Sequence, residues 1–236
     1  MLLFNSELCK FASMKRAIQF LENLQENNYR EWFEDHKDEY KEAQAIFNDT
    51  VDKLIAGIAT FDPSVGHLTA RNCTFRIYRD VRFSRDKAPY KTHMGAFISP
   101  KGKGGGYSGY YFHIEAKNAA YIGGHILSTG IYRPEPVVLK NIREEIFLNG
   151  DQFEETIGLA KGFNLELGDS LKRVPNGYPA DFKYAQYLKL KDFFLSRFVD
   201  DNFMSSPDLV ERAVKEFRKT LEFHQLLNKV TDYALE

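Results

Sequence analysis

The spacing at which apolar residues recur changes twice along this chain, and that change limits the fold more than any other feature. From Arg30 to Thr60, residues Phe33, His36, Tyr40, Ala43, Phe47, Val51, Leu54 and Ile58 fall at steps of three and four. That is the spacing of one face of an α-helix. From Phe75 onward the step drops to two, the signature of a strand with one buried face. It recurs in Phe75-Ile77-Arg79-Val81-Phe83, Met94-Ala96-Ile98 and Tyr110-Phe112-Ile114, and Lys117-Asn118 turns the chain into a further strand from Ala119 to Ile126. After Arg133 the helical step returns with Leu139, Ile142 and Ile146. Short connections between strands imply antiparallel pairing. The sequence therefore predicts a single α+β domain, an antiparallel sheet meander packed against N-terminal and C-terminal helices. Its helical part spans 13–60, its sheet 72–126, and a helical part with a late strand 134–236.

Local signals set the expected boundaries. Ser13 caps a first helix that buries Ala17, Leu21 and Leu24, and Asn28 caps a second. That second helix reads as continuous to Thr60, where Asp62-Pro63 ends it. The run Lys101 to Gly106 reads as a flexible turn. Pro134-Glu135-Pro136 opens a helix that Asn149-Gly150 stops, and a short helix follows from Gln152 to Ala160. The segment Gly168 to Tyr178 reads as a loop, and Phe193 to Val199 reads as the late strand. Ser206-Pro207-Asp208 caps a final helix carrying Val210, Phe217 and Leu221.

The formal charge of the 236 residues is -1. Such a chain has no global pull toward nucleic acid or membrane, so any basic recognition surface must be local. One such segment exists. Seven basic residues, Arg71, Arg76, Arg79, Arg82, Arg85, Lys87 and Lys91, fall between positions 71 and 91, opposed only by Asp80 and Asp86. Cys9 and Cys73 are too few for a disulfide framework and suit a reducing compartment. No run approaches the roughly 18 apolar residues of a membrane span. The N-terminal residues lack the pattern of a secretory leader. A soluble cytoplasmic protein is the expectation.

Alternation places Arg79 on the core face of the basic strand. A guanidinium there must be paired, with Asp86 or Glu115, or must line a cavity. The other residues of the segment suit recognition of a phosphate or carboxylate: Arg76, Arg82, Lys87 and Lys91 hold the anion, and Tyr78 and Tyr111 supply hydrogen-bonding walls. Tyr111, His113 and Glu115 share one strand face. His113 and Glu115 are the candidate base and its orienter. His93 and His125 flank them on neighbouring strands, but the spacing is not a diagnostic metal motif, and no metal or cofactor is assigned. Ser84 reads as a turn residue, and His36 and His224 as histidines at the edge of the core.

Several of these strings together resemble a widespread, mostly bacterial family of uncharacterised proteins, classed as a domain of unknown function. The matching segments are Asn28 to Phe33, Arg76 to Lys91 apart from its variable positions, Gly109 to Glu115, Gly123-Gly124, Pro134-Glu135-Pro136, and Gly168-Asp169 with Leu171-Lys172-Arg173. The resemblance spans nearly the whole chain and implies one compact α+β domain. It brings no substrate, cofactor or catalytic residue. Before Gly109 this chain carries a Gly/Lys-rich insertion where the family has a shorter turn. The leading functional expectation is a pocket for a phosphorylated or other anionic small molecule, with phosphoester hydrolysis or transfer as the chemistry if the protein is an enzyme. The alternatives are a module for single-stranded nucleic acid, which the near-neutral charge disfavours, and a protein-interaction domain whose arginines form a structural network. No membrane partner is expected.

Overall fold

A computed structural model describes residues 14–236. Ser13 and Cys9 lie outside the described residues. Helix α1 (Met14–Glu26) buries Ala17, Leu21 and Leu24, as their spacing predicts. The single helix expected from Arg30 to Thr60 is two, α2 (Arg30–Asp35) and α3 (Lys37–Ile58). They part at His36, whose backbone leaves the helical region at φ -108°, ψ 22°. Its ring stacks on Trp32 at 4.0 Å, and Nδ1 lies 2.8 Å from the Trp32 carbonyl that already accepts the His36 backbone N–H. The apolar stripe runs on across this break, so periodicity alone reads one helix.

The cap expected of Asn28 is not formed; Tyr29 occupies that position. The Asn28 carboxamide instead grips the main chain of Tyr90, donating to its carbonyl at 3.0 Å and accepting from its N–H at 3.1 Å. Tyr90 stacks face to face on Phe33 at 3.9 Å. Together these contacts anchor the base of the Arg-rich segment.

That segment is not the strand its alternation suggests. Apart from isolated bridges at Thr74–Ala96 and Tyr78–Tyr90, it is an arm folded on itself. The Arg79 N–H reaches the Pro89 carbonyl at 2.9 Å and the Lys91 N–H reaches Ile77 at 2.8 Å. Ile77 alone of the four expected core residues is buried; Phe75 is 43% and Phe83 97% exposed. The reason is charge. The tip from Asp80 to Lys87 carries three cations and two anions, and burying it would strand them. They pair locally instead, Arg82 with Asp80 at 2.7 Å and Arg79 with Asp86 at 2.5 Å.

The sheet is antiparallel throughout, with strand order β1-β2-β3-β5-β4. Its strands are β1 (His93–Ile98), β2 (Gly109–Glu115), β3 (His125–Ile131), β4 (Asn164–Leu165) and β5 (Phe193–Val199). The expected fourth strand begins at His125 rather than Ala119, because residues 116–124 wrap the Glu115 side chain. Two-residue β4 left no signal in the sequence. One face of the sheet, with Met94, Ala96, Ile98, Tyr110, Phe112, Ile114, Leu127, Phe193 and Leu195, is buried in the core. Helices α1 and α3 pack against it with α8 (Leu209–Arg218) and α9 (Leu221–Leu235). Phe47 of α3 meets Phe112 at 5.7 Å. A fully buried side chain of this size contributes about 2–3 kcal/mol. A buried Thr220–Thr129 hydrogen bond of 2.8 Å ties the α8–α9 junction, expected as continuous helix, to β3.

Helix α5 (Pro136–Leu159) opens on proline as expected and packs on α9. Its regular path is interrupted at Asn149, as expected, by non-helical backbone at φ -129°, ψ 38°, and a second helical segment continues beyond this kink. Four-residue helices α4 (Ala70–Cys73), α6 (Ala185–Leu188) and α7 (Asp201–Met204) complete the domain. The Cys73 thiol is buried, and burial pushes its pKa up to about 11. No helix among the described residues is long and apolar enough to cross a membrane.

Candidate functional site

The face of the sheet opposite the helices carries the alternate residues of each strand. Antiparallel register puts Phe97, Tyr111, Ser128 and Ser196 in one row across β1, β2, β3 and β5. The next row holds Gly95, His113, Ile126 and Phe198. Over these rows lies a trough of about 1110 Å³. The arm forms one wall with Arg76, Arg79 and Lys91, and the β1–β2 loop adds Lys103.

Tyr111 reaches into the trough from β2, and behind it runs a chain of hydrogen bonds into the protein. Its hydroxyl lies 2.9 Å from His113 Nδ1, and His113 Nε2 lies 3.2 Å from Glu115 Oε2. Gly95 makes room for this arrangement: a Cβ there would sit 2.5 Å from the Tyr111 oxygen. His113 and Glu115 are 0% and 1% exposed. The turn after β2 explains how an acid survives there. Backbone N–H groups of Tyr121, Ile122, Gly123 and Gly124 all point at the Glu115 carboxylate, at 2.9 to 3.4 Å. Consecutive amides curled in this way form an anion-binding nest.

The electrostatics fix the proton positions. Burial opposes the Glu115 charge, but the His113 hydrogen bond and the Tyr121 and Ile122 amides outweigh it and hold its pKa at about 2. Burial lowers the His113 pKa, and the attraction of Glu115 only partly offsets that. The pair is thus a carboxylate beside a neutral imidazole. Glu115 can only accept, so Nε2 of His113 carries the proton and Nδ1 accepts from the Tyr111 hydroxyl. Burial also raises the Tyr111 pKa, so the hydroxyl stays protonated. Its remaining lone pairs are available to whatever occupies the trough.

His93 lines the trough with its ring stacked on Tyr121 at 4.0 Å. Burial, with His113 and Lys91 nearby, pushes its pKa down to about 3. His125 turns away: Nδ1 accepts the Glu115 backbone N–H at 3.1 Å, and Nε2 faces Asp201 at 3.0 Å. Among the described residues, no three His, Cys, Asp or Glu side chains are grouped to hold a metal ion. On the helix side of the sheet, Ser108, His224 and Asp62 are linked in line at 3.2 and 3.0 Å. All three are buried and none lines the trough, so they tie α9 to the sheet.

The structure thus brings Arg76, Arg79, Lys91 and Tyr111 together around one cavity, with His113 and Glu115 buried beneath it. Arg79 is paired with Asp86, the first of the two partners its position suggested. Tyr78, Arg82 and Lys87 lie off the trough. Tyr78 packs by Phe33 and Tyr90, Arg82 closes on Asp80, and the Lys87 ammonium donates to the Val81 carbonyl at 3.0 Å. Sequence reasoning missed Lys103, Tyr132, Glu166, Phe194 and Phe198, which also line the trough. Their separation in sequence left no local pattern to find.

A family model described as "Conserved hypothetical protein (DUF2461)" matches residues 16–226. No curated protein and no solved structure matches the chain.

Proposed function

The chain belongs to this family of conserved hypothetical proteins, and we propose that it binds a phosphorylated or other anionic small molecule in the trough. The observation that carries this reading is the meeting of cations with the Tyr111–His113–Glu115 chain in one cavity. Among the described residues neither Arg76 nor Lys91 has an ion-pair partner; the Lys91 ammonium donates to the Arg76 carbonyl at 2.8 Å and lies over the Phe75 ring. Burial and the Arg76 charge both lower the Lys91 pKa. An incoming anion relieves that repulsion and pairs with both groups.

The hydrogen-bonded chain suits hydrolysis or transfer of a phosphoester. A water or hydroxyl nucleophile gives its proton to the Tyr111 oxygen as Tyr111 passes its own to His113 Nδ1. The imidazolium forms beside the Glu115 carboxylate. The reverse transfer returns the proton to the departing alkoxide. In this scheme Tyr111 touches the reacting atoms, and His113 and Glu115 act through it.

The test is thermal shift and turnover with inorganic phosphate and p-nitrophenyl phosphate. Both are expected to raise the melting temperature of the wild type, and Arg76→Ala to abolish the shift. Tyr111→Phe is expected to keep the fold and the shift while losing turnover. No shift with either anion at millimolar concentration would sink the reading.

A further inference from the structure

The trough is not uniform along its length, and its two ends differ in charge. The arm end is basic, with Arg76, Lys91 and Lys103. Glu166 lines the opposite end, just past β4, with its N–H on the Phe194 carbonyl at 3.0 Å. Its half-buried carboxylate has no ion-pair or hydrogen-bond partner among the described residues. Strands β1 and β4 are the two edges of the sheet. At ~4.8 Å per strand spacing, those edges are roughly 19 Å apart.

Between the ends, the floor is built of small residues and the sides of aromatic ones. Ser128, Gly130 and Ser196 form the floor. Both hydroxyl donors are already used, Ser196 donating to Ser128 at 3.2 Å and Ser128 to the Leu195 carbonyl at 2.8 Å. Gly130 has φ +149°, and a Cβ there would meet the Phe193 carbonyl at 2.1 Å, so the floor cannot rise at that point. Tyr132, Phe194 and Phe198 stand beside it, Tyr132 and Phe198 about three-fifths exposed at 60% and 59%. A floor of small residues whose hydroxyl donors are already used, between aromatic sides, suits a flat ring. A lone carboxylate at its end suits that ring's N–H edge.

We infer that the trough takes a two-ended ligand: an anionic group at the Arg76–Lys91 end, joined through a short linker to a planar nitrogen ring whose N–H edge faces Glu166. A nucleoside monophosphate with a guanine-like ring has this form. The inference rests on the anion-binding reading and adds the ring, its orientation and a specificity residue. Glu166 acts as a positioning and selecting group remote from Tyr111.

Isothermal titration of the full chain with guanosine 5′-monophosphate and ribose 5-phosphate separates the two readings. The nucleotide is expected to bind about 100-fold more tightly, the gain from stacking and the ring edge. Glu166→Gln is expected to weaken nucleotide binding about 10-fold and leave ribose 5-phosphate unchanged. Because the Glu166 carboxylate has no hydrogen-bond or ion-pair partner among the described residues and glutamine has nearly the same shape, that variant keeps the fold, which its melting temperature checks. Equal binding of the two probes overturns the ring half while the anion reading stands. Nucleotide binding that is indifferent to Glu166→Gln overturns the assigned orientation. Failure of both probes to bind overturns both readings.

Discussion

Glu115 keeps its charge at 1% exposure because four peptide N–H groups and one imidazole stand in for water. Its folded pKa lies below the unfolded value, so its contribution is complete above the unfolded pKa and is lost as pH falls. The window runs from the ordinary 4.5 down to about 2. A displacement of that size corresponds to stability on the order of 3 kcal/mol. Urea denaturation of Glu115→Gln should show a loss of that order at pH 7 and a flatter stability profile below pH 4.5. An unchanged profile would mean the nest does not hold a carboxylate. Gly95 makes a second test at this scale. In Gly95→Ala the new methyl collides with the Tyr111 hydroxyl, the far end of a side chain that can swing away. The expected cost to stability is about 1 kcal/mol. The expected cost to function is as large as that of Tyr111→Phe, because the hydroxyl leaves His113. A Gly95→Ala protein with wild-type turnover would remove Tyr111 from the chemistry.

At the scale of elements, the arm depends on a few contacts at its base. Asn28 supplies two hydrogen bonds to Tyr90, and Phe33 supplies the stacking face. Asn28→Ala should therefore loosen the arm without unfolding the domain. Two lost hydrogen bonds correspond to about 1–3 kcal/mol of local stability. Hydrogen exchange should report this as at least 10-fold faster exchange of the Arg79 and Lys91 amides, with α3 and the sheet unchanged. The arm also shows where the sequence misleads. Phe75, Ile77, Val81 and Phe83 alternate like a strand, but alternation implies a buried face only if the intervening charges can reach water and the apolar residues a core. Here the charges pair within the tip, and Phe83 is left in solvent. Strands β1, β2 and β5 were legible because their alternate residues do meet helices across the sheet. The break at His36 was not, since a stripe of apolar residues carries on past a single distorted residue, whereas the kink at Asn149 falls where Asn149-Gly150 interrupts the helical pattern.

For the whole molecule, acid acts on both sides of the sheet at once. His93 on the trough side stays neutral when folded, its pKa falling from 6.5 to about 3. Its unfolded form takes up a proton near 6.5, so stability is lost as pH drops below that value. Glu115 joins from 4.5, and Asp62 on the helix side joins below 3.8, being held at about 2. For Asp62 burial opposes the charge, and hydrogen bonds from His224, Ser64 and Tyr110 overcome it. The melting temperature should fall steadily from about pH 6.5 downward, and His93→Gln should flatten the stretch between pH 6.5 and 4.5. A wild-type curve level down to pH 4.5 would contradict the burial of His93. Scale also governs how much of the site could be read in advance. Tyr111, His113 and Glu115 are alternate residues of one strand, so their shared face was visible. Glu166, Tyr132 and Phe198 reach the same trough only through the pairing of β3, β4 and β5, which no local pattern encodes. The nest around Glu115 carries a further consequence for how the chain assembles. Residues 116–124 join β2 to β3, so that turn closes around an anion the chain must first produce. In acid the carboxyl stays protonated, the connection lacks its nucleus, and both strand edges wait unpaired. Closure of the central hairpin is therefore tied to loss of a proton, and refolding should slow, with more aggregation, below the pH at which Glu115 ionises in the open chain.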